Sequence, residues 1–335
     1  MVSALTNQPE AYSDDAAEPT VVRAEREHAK YERLIARATG IAPIPTAVVW
    51  PCEGHALAGP VDAGREKIIA PVLVGLGSKI RAVAAEAGLD LRGCEIVDTA
   101  SEEEAAATAV RLVREGKAHS LMKGSLHTDI LMHAVVAKDG GLRTSRRISH
   151  VFLIDVPTYP DVLFITDAAI NIFPDLEAKR DIVQNAIDLH LGLGLGEPRV
   201  AILSAVEVIN PKIPGTTDAA SLCKMADRGQ ITGGVVDGPL AMDNAINAEA
   251  AKIKGIRSPV AGRAQILVVP DLEAGNMLAK NLVFLAEADA AGIVLGATVP
   301  IILTSRADSV RTRLASTAVG ALYAHHLVQQ RTASD

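Results

Sequence analysis

Aromatic residues and long apolar runs are both scarce in this sequence. Phe, Trp and Tyr make up 3% of its 335 residues, which argues against the aromatic platforms on which single-stranded nucleic acids stack. The net charge of −7 at pH 7 argues against a surface for a phosphodiester backbone, because such a surface needs clustered Lys and Arg. No apolar run approaches the roughly 18 residues that a membrane-spanning helix requires.

Cysteines are also few. Cys52, Cys94 and Cys223 are far apart, so the sequence contains no CxxC pair for zinc binding or dithiol redox chemistry. The first twenty residues contain an acidic pair and no apolar segment of the kind found in export signals, so we expect a cytoplasmic protein with reduced thiols. Cys52 lies in a predicted loop, WPCEG, and has two interpretations, a small buried apolar residue or a nucleophile.

Apolar side chains are abundant instead. Hydrophobic residues make up 49% of the chain and charged residues 22%, and the mean hydropathy is +0.22. This composition is typical of a chain that forms a core. At roughly 150 residues per domain, the length predicts about two domains. Residues 1–24 are predicted to form a flexible tail.

Short apolar runs alternate with helical patterns along the rest of the chain. The predicted strands lie at 46–50, 72–74, 119–122, 199–204, 234–237, 266–270, 293–295 and 301–304. The predicted helices lie at 64–70, 78–87, 101–115, 128–137, 175–189, 217–227, 240–251, 276–286 and 309–326. Two further β-rich runs, 151–156 and 162–166, predict a hairpin. This order predicts an α/β fold with mostly parallel sheets and helices on both faces, and the hairpin indicates a domain boundary near residue 155.

Ligands in open α/β sheets bind beyond the carboxyl ends of the strands, and four such turns carry polar residues. They are KGSLHT at 123–128, DGP at 237–239, PDLEAGN at 270–276 and SRADS at 305–309. Lys123 supplies a positive charge, Gly124 allows close approach of the backbone to a ligand, and the next helix offers its amino-terminal N–H groups. Ser305 and Arg306 add a hydroxyl and a guanidinium before another helix. Both turns predict a site for phosphate or CoA.

Each of these residues also has a purely structural interpretation. Thr128 and Ser309 can act as helix caps, and Asp308 as a cap or helix-dipole partner. Lys123 can be a solvated lysine at a strand end. His127 can either orient a ligand or cap its helix.

Seven segments of the sequence resemble the phosphate acetyl/butyryltransferase (phosphotransacetylase) family, in the family's order, over about residues 30–330. They are LMKGSLHT at 121–128, GLRT at 141–144 with ISH at 148–150, FITDA at 164–168, NPK at 210–212, ITGG at 231–234 with DGP at 237–239, PDLEAGN at 270–276 and PIILTSRADS at 300–309. Within the family, the sequence is most similar to the phosphotransacetylase part of fused enoyl-CoA hydratase/phosphate acetyltransferase proteins.

The resemblance implies two α/β domains, similar to those of isocitrate and isopropylmalate dehydrogenases, with an active-site cleft between them. The first domain would comprise residues 25–155 and 290–335, and the second, inserted domain residues 156–289. The resemblance also implies a homodimer and the reaction acyl-CoA + phosphate ⇌ acyl phosphate + CoA, with an acetyl or a longer acyl group. CoA is then a substrate, and no metal or other cofactor is expected.

The resemblance also implies roles for individual residues. Ser305 and Arg306 match the family's Ser-Arg pair, which stabilises negative charge on the carbonyl oxygen and the departing phosphate. The residues implied to bind phosphate or CoA are Lys123, Gly124, Ser125, His127, Thr128, Arg147, Asp237, Gly238 and Asn276.

The sequence departs from the family pattern at two positions. The acetyltransferase branch has a catalytic aspartate seven residues after the serine, where this chain has Thr312, which cannot act as a base; Asp308 is the substitute candidate. The family has an arginine after the KG turn, and this chain has His133 in its place. The candidates to take over its contacts are Arg143, Arg146, Arg147 and Arg180.

Two other functions stay open. The missing family aspartate at Thr312 suggests a non-catalytic sensor of acyl-CoA or acyl phosphate. Related two-domain folds carry NAD-dependent decarboxylating dehydrogenases, whose metal site needs aspartates such as Asp237, Asp243 and Asp271. Binding of CoA without turnover would indicate the sensor, and stabilisation by NAD would indicate the dehydrogenase.

Overall fold

The computed structural model describes residues 29–303 and 309–334. The strands are β1 (Ile44–Val49), β2 (Ile69–Gly75), β3 (Glu95–Asp98), β4 (Ser120–Lys123), β5 (Ser149–Asp155), β6 (Leu163–Thr166), β7 (Arg199–Leu203), β8 (Val235–Leu240), β9 (Ile266–Val268), β10 (Asp289–Leu295) and β11 (Ile301–Ile302). The helices are α1 (Ala29–Thr39), α2 (Gly54–Arg65), α3 (Gly77–Glu86), α4 (Glu102–Arg114), α5 (Thr128–Val136), α6 (Leu176–Gly192), α7 (Pro214–Asp227), α8 (Met242–Ile246), α9 (Ala248–Ile253), α10 (Leu272–Leu285) and α11 (Val310–Ser334).

The described strands form one continuous sheet in the order β3-β2-β1-β4-β11-β10-β5-β6-β9-β7-β8. In this sheet the pairs β11–β10, β10–β5 and β5–β6 are antiparallel, and the other neighbouring pairs are parallel. The predicted α/β class with a mostly parallel sheet is therefore confirmed. The strands β6, β9, β7 and β8 run opposite to β1, β4 and β11, so the carboxyl ends of the two sets lie at opposite rims.

Apolar residues alternate between the two faces of the sheet, as the period of a strand requires. Val48 of β1 packs into one core and its neighbour Val49 into another. The first core is continuous along one face and includes α1, α2, α3, α6, α7 and α11. The other face carries two separate clusters, one built on α4 and α5 and one on α8 and α10. Helices on both faces were predicted and are confirmed.

Local signals in the sequence account for several element boundaries. Ser101 Oγ accepts a hydrogen bond from Glu104 N at 3.2 Å, and the Glu104 carboxylate accepts one from Ala100 N at 2.8 Å, which confirms the predicted capping box at α4. Asp175 caps α6 in the same manner through Ala178 N at 2.8 Å. The predicted hairpin is also confirmed, as β5 and β6.

Two predicted helices are wrong in extent. The stretch 64–70 is mostly not helical: α2 ends at Arg65, Lys67 has a positive φ of 58°, and β2 starts at Ile69. Pro60 lies inside α2 and hid this helix in the sequence pattern. The stretch 240–251 contains two short helices, because the Asn247 side chain accepts hydrogen bonds from the N–H groups of residues 249 and 250 and starts α9 anew.

Two elements were not predicted, α1 and the sheet-edge strand β3. The residues of β3 are exposed or half-buried, so it has no apolar run.

Among the described helices, none has the length and apolar character needed to cross a membrane.

Candidate active site

The turn after β4 contacts the turn after β1. These two carboxyl ends, with that of β11, form what we call the upper rim of the sheet. Gly124 N donates to Val49 O at 2.8 Å. A Cβ on Gly124 would lie 2.6 Å from Trp50 O and would also collide with Val49 O. Position 124 must therefore be glycine, because any side chain there would collide with the turn after β1.

Ser125 joins the same two turns through its side chain. Its Oγ donates to Trp50 O at 2.8 Å and accepts from Cys52 N at 3.3 Å. The hydroxyl is therefore engaged within the protein, and its predicted contact with substrate stays a prediction.

Lys123, His127 and Thr128 surround this turn. Lys123 is half-buried, and its Nζ donates to Gly124 O at 3.2 Å. His127 is the residue before α5, and its exposed side chain makes no capping hydrogen bond in the described structure. Local capping, one of the two interpretations of His127, is thus not observed. Thr128 is exposed at the first position of α5.

The predicted catalytic residues Ser305, Arg306 and Asp308 lie outside the described residues, but the positions on either side are described. Ile302 of β11 pairs with Met122 of β4, so β11 ends at the upper rim. After the gap, Ser309 Oγ accepts from Thr312 N at 3.1 Å and donates to Thr312 Oγ1 at 3.0 Å. This arrangement matches the interpretation of Ser309 as the cap of α11. Thr312 is buried, with 6% of the residue exposed, beside this cap.

A cavity of about 400 Å³ opens at the same rim. Because β10 runs antiparallel to β11, the first residues of β10 lie where β11 ends. One wall of the cavity is formed by α10 and the other by β5 and the start of β10, and Ser309 and Thr312 also line it. The wall residues are Asn276, Ala279, Lys280, Val283 and Phe284 on α10, and Phe152, Ala288, Asp289 and Ala290 opposite. Asn276, a predicted site residue, lines this cavity, and its Nδ2 donates to Ala168 O at 3.3 Å.

The structure places three predicted site residues elsewhere. Asp237 and Gly238 lie in β8, seven strands from β4 in the sheet order, which is about 34 Å at roughly 4.8 Å per strand. Arg147 precedes β5 at the opposite, lower rim. Its Nε donates to Asn171 Oδ1 at 2.9 Å and its N to Asp181 Oδ2 at 2.9 Å. These three residues do not lie beside Lys123 within one chain, and their binding roles stay predictions.

Two of the other arginine candidates also form ion pairs. Arg146 pairs with Asp188 at 3.1 Å and Arg180 with Asp181 at 2.9 Å. Both pairs lie near Arg147, because Asp181 also accepts from the Arg147 backbone. At the lower rim, both arginines are therefore neutralised by carboxylates of the protein.

His150 was not singled out from the sequence beyond its place in the ISH motif. It is 3% exposed, and its Nδ1 has no hydrogen-bond partner among the described residues. Burial lowers the pKa of the imidazole, and Asp167 opposes this shift. The ring packs edge-on against Phe152, with centroids 4.4 Å apart. His150 thus supports a wall of the cavity as a neutral imidazole.

Burial also decides between the two interpretations of Cys52. Its side chain is 1% exposed, and burial raises the pKa of the thiol. A thiol held protonated is a poor nucleophile, so the structure favours a buried apolar residue.

No group of three or more potential metal-ligating side chains occurs within residues 29–303 and 309–334.

The class of protein follows from the comparisons with known proteins, which identify a family of transferases that act on small molecules. The profile of the family described as "Phosphate acetyl/butaryl transferase" matches residues 102–321. A phosphate acetyltransferase of Rhizobium meliloti is 70% identical over 295 residues, 88% of this chain and 93% of the relative. A phosphate butyryltransferase of Clostridium acetobutylicum is 44% identical over 263 residues, 78% of this chain and 87% of the relative.

A solved structure supports the same assignment. The branched-chain phosphotransacylase from Enterococcus faecalis V583 superposes with a TM-score of 0.74 at 30% identity, over 84% of this chain and 100% of the other. The chain belongs to the phosphate acetyl/butyryl transferase family. The resemblance drawn from the seven sequence segments is thereby confirmed.

Proposed function

We propose that the protein is a phosphate acyltransferase that interconverts acyl-CoA and phosphate with acyl phosphate and CoA. The main support for this proposal is the family membership, with 70% identity to a phosphate acetyltransferase over 88% of the chain. The upper rim supports it, because the Lys123–Gly124 turn and the amino end of α5 are suited to an anionic substrate.

The chemistry assigns a task to each proposed catalytic residue. The CoA thiol must lose its proton before it attacks, because the thiolate is the nucleophile and a free thiol such as that of Cys, with a pKa of about 8.5, is mostly protonated at pH 7. Asp308 is our candidate base. The thiolate sulfur forms a bond to the carbonyl carbon of the acyl phosphate, and the bond from that carbon to the phosphate oxygen breaks. Ser305 and Arg306 then stabilise the carbonyl oxygen and the departing phosphate by hydrogen bonds. Thr312, hydrogen-bonded to Ser309, has no basic group to offer.

Features of the architecture belong to the same proposal. Residues 25–155 with 290–335 would form one domain and 156–289 the other, with the dehydrogenase-like cleft between them. The two separate clusters on one face of the sheet, one around α4 and α5 and one around α8 and α10, support this division. We also propose a cytoplasmic homodimer that needs no metal or other cofactor. Sedimentation equilibrium tests the dimer.

Thioester formation from CoA and acetyl, propionyl or butyryl phosphate, with a chelator present, tests the function. We expect turnover in the wild type and a fall in kcat of about 10²–10³-fold in Arg306→Ala. The matched control is Arg92→Ala, because the Arg92 side chain is 91% exposed in an ion pair with Asp90. Full activity in Arg306→Ala would remove that residue from the mechanism. Binding of CoA without turnover would instead establish a non-catalytic sensor of acyl-CoA or acyl phosphate. The argument for a sensor is that position 312, where the family has a catalytic aspartate, is a threonine.

A further inference from the structure

Another cavity, of about 210 Å³, lies between α1, the turn after α6 and the residues just before β6 and β9. We call it the α1 groove, and the lining residues that matter here are Arg33, Leu34, Arg37, Asp161, His190 and Leu195. Leu34 belongs to the core on one face of the sheet, whereas Ala279 of the larger cavity belongs to a cluster on the other face. β6 also lies four strands from β4, which is about 19 Å at roughly 4.8 Å per strand. The α1 groove is therefore separate from both the larger cavity and the Lys123–Gly124 turn.

The unpaired positive charge of the α1 groove comes from Arg33 and Arg37, which lie one helical turn apart on one face of α1. Both side chains are exposed, and neither makes an ion pair or a hydrogen bond with a described residue. The Arg37 guanidinium lies against Gly194 in the turn after α6, where a Cβ would be 2.8 Å from Nη2. Lys30 also lines the groove, but its charge is already paired with Asp155 at 2.9 Å. Two such guanidinium groups at one cavity are suited to an oxyanion, which each of them can bind through two parallel hydrogen bonds.

The α1 groove also contains two groups that accept hydrogen bonds. His190 is 3% exposed, and its Nδ1 lies 2.8 Å from Gly196 O. Because a carbonyl oxygen can only accept, Nδ1 carries the proton, and Nε2 is the ring nitrogen left for a ligand. Burial lowers the pKa of this imidazole, against the opposing effects of the Gly196 carbonyl and Asp161, so Nε2 is an acceptor at pH 8. The second acceptor is the exposed carboxylate of Asp161, whose Oδ2 accepts from Gln265 Nε2 at 3.3 Å.

This combination of donors and acceptors favours one class of ligand. A fully deprotonated anion suits the guanidinium groups, but it is repelled by Asp161 and by the carboxyl end of α6, where the helix dipole is negative. An anion that also has a hydroxyl overcomes this repulsion, because the hydroxyl donates to His190 Nε2 or to Asp161. The volume of about 210 Å³ is below the roughly 300–1,000 Å³ of pockets for drug-sized ligands. The ligand is therefore small, and CoA is excluded.

From this geometry we propose that the α1 groove binds a small oxyanion that carries a hydroxyl, of which hydrogen phosphate is the simplest. Its charged oxygens accept hydrogen bonds from Arg33 and Arg37, and its hydroxyl donates to His190 or Asp161. The site does not depend on the proposed acyl transfer and is additional to the place where a substrate phosphate reacts. Sulfate is the matched comparison ligand, because it has a similar size and charge but no hydroxyl at pH 8.

The test follows the His190 ring by NMR in protein labelled with ¹⁵N at histidine, at pH 8 and low salt. The His190 Nε2 resonance is assigned as the one missing from His190→Asn. Inorganic phosphate should shift it saturably, and sulfate should bind at least about tenfold more weakly, because it lacks a hydrogen bond to the acceptors. Arg33→Gln and Arg37→Gln should each weaken phosphate binding about fivefold to tenfold. Arg92→Gln is the matched control, since Arg92 is 91% exposed near the edge strand β3, and it should match the wild type.

Asp161→Asn tests the same site through a gain of binding, which a misfolded variant cannot produce. Removal of the carboxylate charge reduces the repulsion of a fully deprotonated anion. Sulfate should therefore bind about threefold more tightly than to the wild type at low salt, where exposed charges are least screened. The preference for phosphate over sulfate should shrink accordingly.

Three outcomes would overturn the proposal. The first is the absence of a saturable shift at His190 up to about 50 mM phosphate, a concentration that fills even a weak site. The second is equal binding of phosphate and sulfate, which would reduce the groove to a patch of positive charge. The third is a raised KM for phosphate in acyl transfer by Arg33→Gln, which would assign the groove to the substrate. The NMR readout needs no turnover, so failure of the proposed function and failure of this inference are distinguishable.

Discussion

The hydroxyl of Ser125 donates a hydrogen bond to the carbonyl oxygen of Trp50 at 2.8 Å and so ties the turn after β4 to the turn after β1. The same hydroxyl accepts from Cys52 N at 3.3 Å. The position of Lys123, two residues earlier, therefore depends on a contact between two strands that are far apart in the sequence.

Ser125→Ala should lower the free energy of unfolding by about 1 kcal/mol, because it removes these two hydrogen bonds. Urea titration followed by the fluorescence of Trp50, the single tryptophan, measures this. Ser221→Ala is the control, because the Ser221 hydroxyl donates to Thr217 O within α7 and ties no two distant segments together. It should change stability by less than about 0.5 kcal/mol. If Ser125→Ala is as stable as the control, the hydroxyl does not hold the turns together.

Gly124→Ala should be more damaging, because the added methyl collides with backbone rather than with a flexible side chain. A Cβ at 2.6 Å from Trp50 O forces the two turns apart, at a cost of about 2–3 kcal/mol. Acyl transfer should fall with it, since Lys123 moves with the turn. Urea unfolding and the acetyl phosphate assay measure the two effects.

Gly54→Ala is the matched control for this substitution. No described atom lies within 4 Å of a Cβ on Gly54, which is the first residue of α2. Its stability should be within about 0.5 kcal/mol of the wild type or slightly higher. Wild-type stability and activity in Gly124→Ala would contradict the packing argument.

Cys52→Ala should keep kcat within about threefold of the wild type, because the buried thiol is held protonated and serves only packing. Iodoacetamide at pH 7.5 should label Cys52 in the native protein more slowly than in urea, since the thiolate is the reactive form. Peptide mass spectrometry measures both rates. Cys94→Ala is the control, a half-buried thiol whose pKa is also raised by burial. A hundredfold loss of kcat in folded Cys52→Ala would make Cys52 a reacting group.

Local sequence signals predicted much of the fold. The capping box at Ser101 and the cap at Asp175 depend on neighbours within four residues, and the hairpin of β5 and β6 depends on a single turn. The order of strands in the sheet depends on contacts between distant segments, and no pattern showed that β11 would lie between β4 and β10. For that reason the strand-end rule could not show that Asp237 lies seven strands from Lys123.

The same limit explains what was missed at the site. Gly124 was predicted to let a ligand approach the backbone closely. The structure shows that the absence of a side chain is required by the backbone of Trp50, which lies against Gly124. His150 carries no local signal, because its burial arises only when Gly292 of β10 packs against it. Family resemblance named the ISH segment, but the role of the ring required the tertiary structure.

The buried imidazole of His150 makes stability depend on pH with a definite sign. Burial lowers its pKa in the folded protein below the ordinary value of 6.5, with Asp167 opposing the shift. Between the folded and the ordinary pKa, the unfolded chain binds the proton and the folded chain does not, so acid favours unfolding. The stability is fully present above about pH 6.5 and is lost as the pH falls below it, by about 1.4 kcal/mol for each unit by which the pKa is lowered.

His150→Gln should therefore flatten the rise in the free energy of unfolding between pH 5 and pH 7. The amide cannot titrate, whereas His119 and His190, whose pKa values burial also lowers, remain in both proteins. The difference between the two pH profiles thus isolates the contribution of His150. Urea titrations at half-unit pH steps, read by Trp50 fluorescence, give both profiles. If the two profiles run parallel, His150 binds its proton equally in the folded and unfolded chains, and the ring is not held neutral by burial.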